Sequence, residues 1–138
     1  MSDGIEIVSL ESDGELFRQI RRELGLESFA VNLLTLRPRQ RLRVHRHAHQ
    51  EEAYIVLEGE LTVIVEGDPR VLRPGEIAAV RPETKRQLTN PSGERVVVLA
   101  IGAAGEHQSR DALAWESWEE GGEGRPPQEV PLPDDLPG

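Results

Sequence analysis

An all-β fold of the sandwich or barrel kind is predicted by three observations. Residues 29–101 break into eight short runs rich in Val, Leu, Ile and Thr. Turn-forming residues separate the runs at regular intervals. Aromatic residues make up only 4% of the 138-residue chain and cysteine is absent, so the core must rest on aliphatic side chains without disulfides.

The runs are FAVNLLTL (29–36), RLRVH (41–45), EAYIVL (52–57), LTVIV (61–65), RVLR (70–73), EIAAV (76–80), RQLTN (86–90) and RVVVLAI (95–101). The breaks are Arg37-Pro38, Glu58-Gly59, Gly67-Asp68-Pro69, Pro74-Gly75, Arg81-Pro82 and Asn90-Pro91-Ser92-Gly93. Each offers a left-handed glycine, a fixed proline φ or a side chain that bonds its own turn. Several runs are apolar on both faces, which calls for cover by another segment or a partner chain.

Before the strands, GIEIVSL (4–10) alternates like a first strand. SDGELFRQIRRELG (12–25) predicts a helix: Ser12 and Glu15 have capping-box spacing, Leu16, Ile20 and Leu24 recur every fourth residue, and Gly25 can close it. An extended segment with one late helical turn is the alternative. Beyond residue 105 lie Trp115 and Trp118, spaced to anchor a helical turn, and then RPPQEVPLPDDLPG (125–138), which predicts extended or disordered chain. Three segments result: 1–28, a strand and short helix packing on the barrel; 29–105, the barrel; and 106–138, an irregular acidic Pro/Gly-rich tail.

The net charge of −9 is unevenly placed. Residues 106–138 carry nine acids against two arginines, whereas residues 1–105 carry sixteen acids against fourteen bases. No basic face exists for a phosphate backbone, so no nucleic acid partner is expected. No window approaches 18 apolar residues, and no basic start leads into an apolar stretch. The expectation is a cytoplasmic protein with no membrane partner.

The densest chemistry lies in VHRHAHQEEAYIVLEGE (44–60). Residues i, i+2 and i+4 of a strand share a face, so His45, His47 and His49 would point the same way if residues 43–49 are extended. Imidazoles converging with a carboxylate from the next strand make a first-row transition-metal site. Tyr54 follows Glu52 on the same face and could donate a hydrogen bond to a ligand, although a core aromatic with a satisfied hydroxyl is the plainer role. Arg41 and Arg43 share parity with His45, which puts a cation such as Arg43 at the pocket mouth and favours an anionic ligand. Asn90 reads as a turn former, and His107 as a surface residue.

The stretch resembles the first motif of the cupins: His45-x-His47, four residues, Glu52, six residues, Gly59. The second cupin motif is similar to Pro74-Gly75-Glu76, Pro82 and Asn90. The resemblance spans about residues 29–101. It implies a double-stranded β-helix (jelly-roll) barrel, a divalent transition metal (Fe, Mn, Zn or Ni) held by His45, His47 and Glu52, a small-molecule ligand, and a homodimer. The family's members include dioxygenases, decarboxylases and isomerases, so the resemblance does not choose a reaction.

The departure from the pattern is Arg86, which stands where the second motif places a histidine. A guanidinium has no free lone pair and cannot ligate a metal. Three arrangements follow. His45, His47 and Glu52 hold the metal alone, as in a two-His, one-carboxylate triad; His49 fills the gap; or Arg86 pairs with Glu52 and replaces the metal, leaving a binding module for a small, anionic ligand. A third class of function would make the acidic tail an interaction segment.

Overall fold

A computed structural model describes residues 3–103 and 111–137. Among them, ten strands form two antiparallel five-stranded sheets. In chain order the elements are β1 (Phe17–Gln19), α1 (Ile20–Leu24), β2 (Ala30–Leu36), β3 (Val44–His47), β4 (Glu51–Glu58), β5 (Leu61–Val65), β6 (Asp68–Leu72), β7 (Ile77–Val80), β8 (Arg86–Thr89), β9 (Val96–Ala103) and β10 (Ala112–Trp115). A single 3-10 turn follows at Pro127–Glu129. One sheet runs β1-β2-β9-β4-β7 and the other β10-β3-β8-β5-β6. All eight runs read from the sequence become strands, and the interleaved order is that of a jelly roll.

The inward faces of the two sheets meet in one core. Leu34 and Leu36 of β2, Val56 of β4, Leu61 and Val63 of β5, Leu88 of β8 and Val96 and Val98 of β9 are all buried in it. Alternate residues of β2 and β9, Val31, Leu33 and Val97, point the other way and form a second cluster with Ile20 of α1. This cluster is capped by α1, with Val8, Leu24 and Leu26 packed on it. The chain therefore covers the outer faces of β2 and β9 itself, whereas Leu57 of β4 and Ile77 of β7 in the same sheet are exposed.

The N-terminal expectations need correction. Residues 4–10 join no sheet, and Ile5 and Ile7 are exposed. The helix is one late turn rather than fourteen residues, as in the alternative arrangement. No capping box forms: Ser12 bonds Thr35, and the N-cap is Gln19 without a side-chain bond. The pull of the sheet explains this, because Phe17–Gln19 pair with β2 and a short helix cannot outweigh those bonds. Gly25 does close the helix, with φ 69° and its N–H bonded to carbonyls of the last turn.

Gly59 sits at φ 75° in the β4–β5 turn, where a Cβ would come within 2.5 Å of the Arg95 carbonyl oxygen. Asn90 is fully buried: its amide donates to the carbonyls of Leu36, Arg37 and Glu94, and its carbonyl accepts from Ser92. Its role is to build the turn.

The acidic C-terminal region contributes more order than its composition suggests. Ala112–Trp115 pair with β3 along its whole length, a strand missed because the alternation in ALAW is too weak to signal one. Trp115 ends this strand instead of starting a helical turn, and it lies under Lys85, whose ammonium is 4.0 Å from the ring centroid. Further on, the Pro-rich segment runs extended along the arginine-rich approach to β3. Arg43 donates to the Val130 carbonyl, Arg41 to that of Asp134, and Arg37 pairs with Asp135 at 2.8 Å. Val130, within this strap, is buried. His107 and its neighbours lie outside the described residues.

Candidate metal centre

The two sheets bring three strands to one point. β3 supplies His45 and His47 by strand parity, β4 from the facing sheet supplies Glu52 and Tyr54, and β8 places Arg86 directly opposite His45. Glu52 Oε1 lies 3.7 Å from His45 Nε2 and 3.3 Å from His47 Nε2. One candidate ligand atom from each of these residues lies within 4.8 Å of the others. Ligand nitrogens and oxygens about 2.0–2.1 Å from a tetrahedral ion sit about 3.4 Å from one another. The spacing is thus compatible with three ligands on one ion.

The far side of the His45 ring is compatible with the same use. His45 Nδ1 lies 3.3 Å from the Arg43 carbonyl oxygen, an acceptor for Nδ1–H in the tautomer that would leave the Nε2 lone pair for a metal. Burial pushes the His45 imidazole below its ordinary pKa, against the pull of Glu52, so the ring is neutral at neutral pH. For Glu52, burial works against the charge, but the flanking His45 and His47 outweigh it and hold the carboxyl well below the usual carboxylate range. A neutral imidazole beside an ionised carboxylate is the donor set a divalent transition metal takes.

Arg86 is the unusual member. It is fully buried, and its Nη2 donates to Glu52 Oε1. Its Nε donates to the Tyr54 hydroxyl at 3.2 Å and its Nη1 to the Thr84 carbonyl at 2.8 Å. The Tyr54 hydroxyl in turn donates to Glu52 Oε1 at 2.6 Å. Glu52 Oε1 is thus a hub that collects two donors from the barrel floor and faces two imidazoles. Burial and the Glu52 charge together push the Tyr54 phenol far above its usual pKa, so it stays a neutral donor. The guanidinium offsets the carboxylate's charge in a dry setting and cannot itself coordinate.

His49 does not join the group. Its ring is exposed, and its backbone N–H is held by the Asp111 carboxylate as the chain turns out of β3. Glu51 points outward, as parity requires, and lies 3.6 Å from Arg81. Arg43 lines the cavity above the site, with its Nε tied to the strap. The cavity holds about 220 Å³; apolar Phe17, Leu34, Leu42, Leu88 and Pro127 make up much of its wall. Sequence reading missed two contributors. Pro127 belongs to a segment with no periodicity, and Asp111 was one acid among nine in the tail.

A jelly-roll barrel with a His-His-Glu group in its cup is the architecture of the cupin class. The cupin-domain family profile matches residues 32–102. The chain belongs to the cupin family. It is similar to a sugar phosphate isomerase of the cupin superfamily from Silicibacter pomeroyi (27% identity, TM-score 0.63, 84% of this chain and 79% of that one). It is also similar to a cupin protein from Bacteroides fragilis (19% identity, TM-score 0.66, 80% and 95%). A provisionally assigned sugar phosphate isomerase from Acidithiobacillus ferrooxidans aligns at 23% identity and TM-score 0.62; the match covers 72% of this chain but only 62% of that one. No protein of curated function matches in sequence. Among the described residues, no helix is long and apolar enough to cross a membrane.

Proposed function

We propose that the barrel binds a divalent transition metal through His45, His47 and Glu52, and that it receives a small anionic molecule beside it. The observation that carries this reading is the convergence of two imidazole Nε2 atoms on one ionised carboxylate, at separations that ligands around one ion would also have. The bound metal would supply a Lewis acid.

The chain's own residues do the rest. Arg43 offers a half-buried guanidinium to an anionic group, and among the described residues no carboxylate forms an ion pair with it. Arg86 and Tyr54 hold Glu52 in place from below and fill the corner where a fourth ligand would stand. The aliphatic wall excludes water. A mostly apolar cavity of this size suits a carboxylate with a short apolar body better than a polyhydroxylated sugar phosphate. That separates the expected substrate from the one that the Silicibacter protein's name indicates.

A second reading has one observation in its favour. Arg86 already neutralises Glu52 by direct hydrogen bonding, so the barrel could bind its anionic ligand without a metal. Thermal unfolding distinguishes the two. Metal-stripped protein titrated with Fe(II), Mn(II), Zn(II) or Ni(II) should gain stability with at least one ion, by about 2.7 kcal/mol at a hundredfold excess over Kd. His47→Ala should gain none. An unchanged midpoint for the native protein with all four ions would leave the metal-free reading.

A further inference from the structure

We infer that Asp111 is the positioning residue of the proposed metal centre: it fixes the His47 ring from behind and anchors the turn that ends the histidine strand. The inference rests on the metal reading given above.

Asp111 is remote in sequence from the motif and reaches it because Ala112–Trp115 pair with β3, setting Ala112 opposite His47. Its side chain is 2% exposed, and its Oδ2 lies 3.7 Å from His47 Nδ1. That nitrogen is a buried polar atom without a hydrogen bond. The other ring nitrogen, Nε2, faces Glu52. His47 is therefore placed between two carboxylates, one on the side where a metal would sit and one on the opposite side.

The same carboxylate accepts the backbone N–H groups of His49 and Gln50, at 3.0 and 2.9 Å from Oδ2. Those two bonds fix the bend between β3 and β4, and so the relative placement of His47 and Glu52. Burial disfavours the Asp111 charge, but the two backbone donors outweigh it and keep the carboxyl below its ordinary pKa. A carboxylate facing the distal nitrogen of an imidazole favours the Nδ1–H tautomer and leaves Nε2 with its lone pair. His45 achieves the same end with a backbone carbonyl, so the two rings differ in the strength of their support.

Asp111→Asn separates the two roles, since its amide oxygen can still accept from the backbone while the charge is lost. Asp111→Ala removes both. Binding of Co(II), followed by its visible absorption, should weaken 10–100-fold in Asp111→Asn with the unfolding midpoint of the metal-free protein unchanged. In Asp111→Ala it should weaken at least as far, and the midpoint should fall as well. Nitrogen-15 NMR of the His47 ring in Zn(II)-loaded protein gives an independent readout: with Nε2 on the metal, the Nδ1–H resonance of the native protein should move in Asp111→Asn. Native Co(II) affinity and an unmoved Nδ1–H resonance in Asp111→Asn would overturn the positioning role while leaving the metal centre standing. Failure of the native protein to bind Co(II) would overturn both.

Discussion

Glu52→Ala is expected to destabilise the protein by about 3–5 kcal/mol, the largest effect of any single substitution in the site. Arg86 is fully buried, and Glu52 is the only carboxylate paired with it among the described residues. Removing the carboxylate leaves a guanidinium in the barrel with only the Tyr54 hydroxyl and the Thr84 carbonyl. An uncompensated buried charge costs several kcal/mol, whereas replacing both partners with apolar groups of similar volume is close to neutral. Denaturant unfolding should therefore show Glu52→Ala far less stable than the double variant Glu52→Leu/Arg86→Met. A loss under 1 kcal/mol in the single variant would mean that the Arg86–Glu52 pair contributes little to the fold.

Arg86→His should raise metal affinity at least tenfold, equivalent to about 1.4 kcal/mol. The position is directly opposite His45 in the ladder between β3 and β8, and an imidazole there replaces a group that cannot ligate with one that can. The substitution also frees Glu52 Oε1 from the donor that shares it. Competition against a chromophoric chelator reads the change. Equal affinity in the two proteins would place residue 86 outside the coordination sphere and argue that Arg86 has a purely structural task.

Much of this arrangement was legible in the order of residues, and the exceptions have physical causes. Strand parity alone put His45 and His47 on one face, and the turn at Glu58-Gly59 set the length of β4 so that Glu52 and Tyr54 point inward together. The exclusion of metal ligation by Arg86 followed from its chemistry before its partners were known. His49 shared the parity of the other two, but parity holds only while the strand continues, and the Asp111 carboxylate turns the chain at that residue. Asp111 itself could not be found by spacing, because strand pairing across more than sixty residues brings it to His47. The C-terminal strap was read as extended or disordered on composition. It is extended, and it is held by Arg37, which reads as part of a turn, and by Arg41 and Arg43, which strand parity places at the pocket mouth. Helical propensity in residues 12–25 lost to sheet pairing, the usual outcome when tertiary bonds compete with a local preference.

The proposed function requires that the two imidazoles and the carboxylate form a metal site even with a buried arginine at the fourth corner. Elemental analysis of protein loaded with divalent transition metals and then desalted tests it most directly. One metal ion per chain is expected in the native protein and none in His45→Ala/His47→Ala. Native protein that retains no metal under these conditions, or a double variant that retains as much as the native protein, would contradict it.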